Sequence, residues 1–376
     1  MTASINVETI RDWVGLSFVH GVGPALFYEL VNRFGSPTNV LNAPGAVAKE
    51  AGGLRSGSLA EIADANRLRR RADRELSKLE KIGARALIRD QSEYPELLKH
   101  IGLPPPVLYL SGRSSLLNLS SVAIVGSRAA TSYGRRVSRA IARDLALCGI
   151  CVVSGLASGI DAEAHAGALE EDGGTVGVLG CGLDVVYPRG NRHLYERINK
   201  SGLLISEYPL GSRPEAYRFP ARNRIIAGLS RAVVVVEASK RSGSLITVQC
   251  GLEEGRDIFA VPGQVDSIKS AGTHWLVQQG ASLAVSGADI VDQLGIDTGG
   301  NAPRSADCSA LQPMLDPALA AIWSIIEPYP QAREALLQRS GLLPPQFNEA
   351  LLMLELEGMI GTAPGDMFYR RTDDSR

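Results

Sequence analysis

Four short runs rich in glycine and serine have the residue types that bind phosphate. They are Gly126-Ser127-Arg128, the segment 154–161 (SGLASGID), the segment 180–182 (GCG) and the segment 242–247 (SGSLIT). Each follows an apolar stretch of strand length. Small residues let the backbone approach an oxygen atom, and the N-terminus of a following helix favours an anion. Any one run also suits an ordinary strand-to-helix turn, because Gly and Ser cap helices. Four runs at one sheet edge favour a phosphate-binding rim.

A second segment, 217–227 (YRFPARNRIIA), combines cations with aromatic rings. This is the composition of a single-strand nucleic-acid site, in which cations follow the backbone and an aromatic side chain stacks a base. The alternative is that its arginines pair with acids and its phenylalanine belongs to the core. Lys240 and Arg241 would extend the basic rim. The residues concerned are Tyr217, Arg218, Phe219, Arg222 and Arg224.

Signatures of the common enzyme and metal classes are missing from the sequence. It has neither a G-x-G-x-x-G after a strand nor a G-x-x-x-x-G-K-[ST] motif, the marks of dinucleotide binding and of P-loop ATP hydrolysis. Cys148 and Cys151 have no second pair to complete a zinc site. Asp161 and His165 are four residues apart, which favours a structural pair over an acid/base dyad. We therefore predict no catalytic residue, no metal and no cofactor.

Composition sets limits on class and location. The chain has 376 residues, is 45% hydrophobic and carries a net charge of -1, so any DNA site must be a local basic patch. The N-terminus lacks the pattern of a signal peptide, and no run of 18 apolar residues predicts a membrane span. Five cysteines in a chain of this length are typical of reduced thiols. These features predict a cytoplasmic protein.

Between residues 84 and 295 short apolar runs alternate with stretches of helical length. Runs that are apolar at every position indicate strands covered on both faces, as in a parallel sheet. The pattern predicts a Rossmann-like, doubly wound, mostly parallel α/β core with its ligand site at the carboxyl ends of the strands. The predicted strands are 86–88, 107–110, 122–125, 150–153, 176–179, 203–206, 233–236, 258–261 and 282–285.

Residues 1–83 are predicted to be a helical domain. The turn Gly21-Val22-Gly23, followed by Pro24 at a first helical position, is similar to a helix-hairpin-helix or SAM-like unit. A small helical packing module fits the turn equally well. Residues 61–82 form a charge-rich helix, for which we predict a solvated face or a domain connector.

The C-terminal part has the pattern of a winged helix. A polar linker is predicted at 296–309, followed by a separate unit at 310–376. The unit has helices at 317–327, 331–340 and 345–358, and a hairpin that turns at Pro364-Gly365.

Together these motifs resemble the DprA/Smf family of DNA-processing proteins, and the resemblance covers roughly residues 84–285. Five motifs occur in the family's order: 125–128 (VGSR), 154–161, 219–227, 242–247 and 260–263 (AVPG). The chain departs from the family at His274, where Asn is usual, which leaves the role of that position open.

The resemblance implies a protein that binds single-stranded DNA without enzymatic activity. It further implies protection of incoming DNA in natural transformation, loading of the RecA recombinase, and a homodimer formed through the Rossmann-like domain. Motif by motif, it implies a DNA site of Gly126, Ser127, Arg128, Ser154, Gly155, Phe219, Arg222, Asn223, Arg224, Ser242, Gly243 and Ser244, beside which Lys240 would extend the rim.

An enzyme is the main alternative, namely a nucleoside-monophosphate phosphoribohydrolase of the lysine-decarboxylase-like (LOG) family. That family's pattern is P-G-G-x-G-T-x-x-E. Here Ser244 stands at the second glycine and Cys250 at the catalytic glutamate. A protonated thiol cannot supply the negative charge of that glutamate. A transcription regulator that acts through the winged helix would leave the glycine-rich runs unexplained.

Overall fold

The computed structural model describes residues 6–50, 53–171, 173–296 and 317–371. The described residues up to 296 form one compact unit, and those from 317 onward form a second. From residue 297 on, the predicted linker lies outside the described residues. Within the described ranges, no helix has both the length and the apolar character needed to cross a membrane.

A nine-stranded sheet forms the centre of the first unit, with strand order β1-β2-β6-β5-β4-β3-β7-β8-β9. All nine predicted strands are confirmed, although the last is shorter than predicted. Pairing is parallel from β6 through to β9, whereas β2 pairs antiparallel with both β1 and β6. The strands are β1 Ala84–Ile88, β2 Val107–Gly112, β3 Ser121–Val125, β4 Cys151–Ser154, β5 Thr175–Leu179, β6 Leu203–Ser206, β7 Ala232–Val235, β8 Asp257–Ala260 and β9 Ser282–Leu283.

The strand order reverses at β3. Strands β4, β5 and β6 lie on one side of β3, and β7 and β8 lie on the other. Every residue of β3, β4, β5 and β7 is buried, because helices cover both faces of the sheet. In a doubly wound sheet, loops diverge at the reversal and leave a crevice outside the carboxyl ends of the strands. The predicted fold class is thereby confirmed.

Helices enclose this sheet. Helices α1 to α6 share a hydrophobic core with β1 and β2, in which Trp13, Phe27 and Tyr109 are buried. Two short 3₁₀ helices lie at Ser114–Asn118 and Arg189–Asn191. The α-helices are α1 Val7–Ser17, α2 Pro24–Phe34, α3 Pro37–Asn42, α4 Pro44–Glu50, α5 Ser56–Ala63, α6 Ala65–Lys81, α7 Glu96–Lys99, α8 Ser132–Leu147, α9 Ile160–Ala168, α10 Arg192–Ser201, α11 Arg218–Leu229, α12 Ser244–Glu253, α13 Ala271–Gln278 and α14 Gly287–Leu294.

The second unit packs three helices on a small sheet, as predicted for a winged helix. Gln331 and Ala332, predicted to start a helix, instead pair with β12 as a short strand. The hairpin turns at Pro364-Gly365, as predicted. The elements are α15 Pro317–Ile325, β10 Gln331–Ala332, α16 Arg333–Ser340, α17 Pro344–Leu356, β11 Ile360–Ala363 and β12 Met367–Arg370, with strand order β10-β12-β11.

Candidate nucleic-acid interface

An open pocket of about 670 Å³ lies in the crevice where the strand order reverses. Its walls come from the turn after β3, the start of α11 and the turn after β7. Segments far apart in the chain thus meet at the carboxyl edge of the sheet. Of the predicted site residues, the pocket brings together Gly126, Ser127, Arg128, Phe219, Arg222, Asn223, Ser242, Gly243 and Ser244.

Phe219 and Arg128 form a cation–aromatic pair in this pocket. The Arg128 guanidinium carbon lies 5.6 Å from the centre of the Phe219 ring. Tyr187 packs beside Phe219 with its ring centre 5.3 Å away. Gly180 lies under the ring, where a Cβ atom would come within 3.0 Å of Phe219 Cδ1. The glycine lets the ring lie close to the end of β5, so the third glycine-rich run positions an aromatic side chain.

Arg222 contributes to the wall of the pocket but is only 4% exposed. Its Nη1 donates to the carbonyl of Gly155 at 2.8 Å and also to that of Val178. Burial lowers the pKa of the guanidinium to about 10, and the Asp161 carboxylate opposes that decrease. A Cβ on Gly155 would lie 2.5 Å from Arg222 Nη2, so the guanidinium group fits at this place only because residue 155 is a glycine. The structure thus uses Arg222 to join two strand ends.

Asp161 shapes the glycine-rich turn that follows β4. Its Oδ2 accepts the amide of Gly155 at 3.1 Å and that of Ala157 at 3.4 Å. Burial raises the pKa of this carboxyl group, while the nearby Arg222 lowers it. Gly159 has φ of 83°, a left-handed backbone conformation that glycine adopts without strain.

The predicted pairing of Asp161 with His165 is wrong. His165 is fully buried, and its Nδ1 lies 2.7 Å from Thr175 Oγ1. The Asp161 carboxylate instead accepts hydrogen bonds from the amides of Gly155 and Ala157. Burial lowers the pKa of His165 to about 3, which leaves the ring neutral at ordinary pH.

Four predicted residues lie outside the pocket walls. Gly155 lines a smaller adjoining cavity together with Arg128 and Phe219. Ser154 is fully buried and its Oγ donates to the carbonyl of Ile124 at 2.6 Å, so this hydroxyl joins two strands and faces no solvent. Lys240 is exposed in the turn after β7.

Arg224 is the fourth predicted residue that lies outside the pocket walls. Its Nη2 forms an ion pair with Glu207 Oε1 at 2.6 Å, the alternative that the sequence left open for this arginine. Residues two apart on a helix lie on nearly opposite faces, so Arg222 and Arg224 cannot both reach the same pocket.

Lys269 belongs to this region but was missed by the sequence analysis. Its Nζ lies 3.2 Å from Ser127 Oγ and also donates to the carbonyl of Ala129. It comes from the loop after β8, at the same edge of the sheet. Its position after a predicted strand was the available signal. The loop is tied to α13, because His274 Nε2 lies 3.1 Å from the carbonyl of Gly263.

Comparisons with known proteins identify relatives of the whole chain. Residues 85–295 match the family described as DNA recombination-mediator protein A, and residues 306–366 match the DprA winged helix domain. Protein Smf of Synechocystis sp. is 36% identical over an alignment that covers 96% of this chain and 98% of that protein.

Two solved structures are also similar. DNA processing protein A from Streptococcus pneumoniae is 34% identical, with a TM-score of 0.66, over 75% of this chain and 97% of that one. The same protein from Helicobacter pylori, solved in a study of its single-stranded DNA binding mode, is 31% identical with a TM-score of 0.51 over 56% and 95%. On the match to the family over more than half of its residues, and on the near full-length identity to a relative, the chain belongs to the DNA recombination-mediator protein A family, also called DprA/Smf.

Proposed function

We propose that this protein binds single-stranded DNA in the pocket at the carboxyl edge of the sheet. In that role it would protect incoming DNA and load RecA in natural transformation and DNA processing. The observation that carries the proposal is the Phe219 ring with the Arg128 guanidinium 5.6 Å from its centre, in an open pocket. A base can stack on the ring while its phosphate meets the cation.

Glycine and serine complete the site. Gly126, Ser127 and Ser242–Ser244 also line the pocket. The amides of Ser127, Ser242 and Ser244 already donate to the Glu237 carbonyl, the Ser239 carbonyl and Ser242 Oγ, so we assign phosphate oxygens to the N–H groups of Gly126 and Gly243. Asn223 adds an amide to the same wall. We assign Arg222 a supporting role, because its Nη1 already donates to two backbone carbonyls. Arg224 and Lys240 would act on DNA only outside the pocket.

The groups that line the pocket suit the binding of DNA and not catalysis. Asp161 is the only carboxylate among the described residues that line it, and that group already accepts two amides. Cys250, at the position of the LOG glutamate, lies on α12 and is not among the residues that line the pocket. Burial raises the pKa of its thiol, so it stays protonated. These features favour a DNA-binding protein over a phosphoribohydrolase.

A mobility-shift titration with single- and double-stranded DNA over a series of salt concentrations tests this function. Single-stranded DNA should bind more tightly, because duplex bases cannot separate to stack on Phe219. The affinity should fall as salt rises. Equal or tighter binding of duplex would contradict the proposal. Release of ribose phosphate from a nucleoside monophosphate would favour the enzyme instead.

We also propose that the protein is a homodimer through the Rossmann-like domain. The sheet ends at the short strand β9, where Leu283 is 48% and Val285 63% exposed, and Trp275 is 42% exposed on the preceding helix. Apolar side chains at a sheet edge are normally covered. Light scattering at micromolar concentration should give about 80 kDa, twice the 40.0 kDa of one chain. Leu283→Lys should lower the mass toward one chain, and a parent protein that is already monomeric would rule out the dimer.

The C-terminal unit is expected to be dispensable for DNA binding by the core. Helix α17 occupies the recognition position of a winged helix, yet Glu349 and Glu355 would repel phosphates. Leu352 and Leu356 on the same helix are 54% and 73% exposed, which suits contact with a protein. A chain truncated after residue 300 should therefore keep its affinity for single-stranded DNA. Loss of binding by a truncated protein with an intact circular dichroism spectrum would show that the unit takes part.

A further inference from the structure

A second basic feature lies outside the pocket, in a groove between α6 and the loop 207–217 that joins β6 to α11. The groove has a volume of about 270 Å³. Arg71, Arg74 and Lys78 line it from α6, and Leu210 lines it from the loop. From the sequence we predicted a solvated face or a domain connector for this helix.

The acidic group that lines the groove with these three cations is Glu75, whose pKa is raised overall by burial although the charges of Lys78 and Arg71 lower it. Arg71 stacks on Phe18, with its guanidinium carbon 4.3 Å from the ring centre, and Arg74 Nε donates to the carbonyl of Arg70 at 3.2 Å. Among the residues that the structure describes, no carboxylate lies within ion-pair distance of the three. By contrast, Arg69 on the same helix pairs with Asp12 at 2.8 Å.

Glu75 is the acidic residue among those that line the groove, and its carboxylate already accepts a hydrogen bond. Glu75 is 7% exposed, and its Oε1 accepts the amide of Leu210 at 2.6 Å. This hydrogen bond attaches the loop to α6. The exposed cations therefore face the groove, while the carboxylate is directed to the backbone.

The same loop forms part of the DNA pocket. Pro214 and Ala216 line the pocket, and Leu210 lines the groove. Leu210 and Pro214 are four residues apart, so the backbone between them spans at most about 14 Å. One loop therefore contributes residues to both the groove and the pocket.

Arg218, at the start of α11, contacts several residues of this loop. Its Nη1 donates to the carbonyl of Arg213 at 2.9 Å, and its Nη2 pairs with Glu215 at 2.9 Å. Its guanidinium carbon lies 4.7 Å from the ring centre of Tyr208 and 5.7 Å from that of Tyr217. Tyr217 is 65% exposed, and its ring is backed by this cation. This exposed ring is available for a second base.

We propose that the groove binds the phosphate backbone of the single strand whose base occupies the pocket, and that the strand crosses Tyr217 between the two. This inference rests on the proposed function and extends it to the N-terminal helices. Unpaired cations beside an exposed aromatic ring suit a single strand. A rigid duplex would offer no free base to Tyr217.

The test compares short and long DNA on a variant that leaves the pocket intact. Arg74→Ala/Lys78→Ala removes two groove cations and keeps Arg71, which packs on Phe18. A thymidylate dinucleotide should fill the pocket alone, and an oligothymidylate of about twenty nucleotides should also reach the groove. With the long strand, the variant should bind more weakly and its log–log salt slope should flatten by about 1.4, or about 0.7 per lost phosphate contact. With the short strand, it should match the parent.

Arg197→Ala/Lys200→Ala is the matched control. Both residues are exposed on α10, whose last turn leads into the amino end of β6, opposite the pocket. This variant also loses two positive charges and should bind both strands like the parent. The groove proposal is overturned if the Arg74/Lys78 variant binds the long strand like the parent or like the control, or if it weakens both strands equally. Failure of the parent to bind either strand would instead overturn the proposed function.

Discussion

Replacement of Arg222 by methionine is expected to destabilise the folded protein by about 3–5 kcal/mol, the range for removing one partner of a buried charge pair. The side chain is 4% exposed and donates to the carbonyl groups of Gly155 and Val178. Without it, both carbonyls lose a donor and the buried Asp161 loses its main opposing charge. Urea denaturation at neutral pH, followed by circular dichroism, measures the change.

The destabilisation caused by Arg222→Met should become smaller as the pH falls. Burial raises the pKa of Asp161 in the folded protein above its unfolded value. For such a group, the folded state is favoured below the unfolded pKa, and this stability is lost as the pH rises through the folded pKa. Removing Arg222 raises that pKa further, so the variant should approach the parent as the pH falls toward the ordinary range of an aspartic acid.

Two controls make this prediction specific. Asp161→Asn combined with Arg222→Met should recover part of the stability at neutral pH, because no unpaired charge then remains buried. Arg197→Met changes an exposed arginine and should stay within about 0.5 kcal/mol of the parent. If Arg222→Met also stays within this margin, the buried charge does not hold the two strand ends together.

Replacement of Phe219 by alanine should weaken single-strand binding by about 1–3 kcal/mol with little change in the salt slope, because stacking is not ionic. Arg128→Ala should flatten the log–log slope by about 0.7, the value for one lost phosphate contact on a single strand. The two side chains lie 5.6 Å apart, so they serve as matched probes of one location.

Affinity is measured against salt for both variants, after circular dichroism has shown that each is folded. Arg224→Ala is a third variant, whose cation pairs with Glu207 outside the pocket walls and which should leave the slope unchanged. If Phe219→Ala and Arg128→Ala both bind like the parent, the site lies elsewhere. If Phe219→Ala flattens the slope as much as Arg128→Ala does, the location is right but the assigned roles are wrong.

The sequence by itself determined the strands and the edge at which the ligand site lies. Runs such as Val233–Val236 are apolar at every position, which is possible only where both faces of a strand are covered. The glycine-rich runs follow such strands directly, and parallel strands end at one edge of a sheet. The meeting of Arg128 with Ser242–Ser244 was therefore predictable without coordinates, and so was the position of Phe219 at the start of a helix on that edge.

Only the tertiary structure decided which polar groups are free to act. Arg222 and Arg224 have similar neighbours in the sequence. The placement of α11 against the sheet buries Arg222 against two strand ends and pairs Arg224 with Glu207. The antiparallel pairing of β2 was equally hidden, since a fully buried strand has the same pattern in either direction. Lys269 meets Ser127 across 142 residues of chain, and Glu75 attaches to Leu210 across 135. Such contacts depend on where whole elements pack, and no local pattern of residues carries that information.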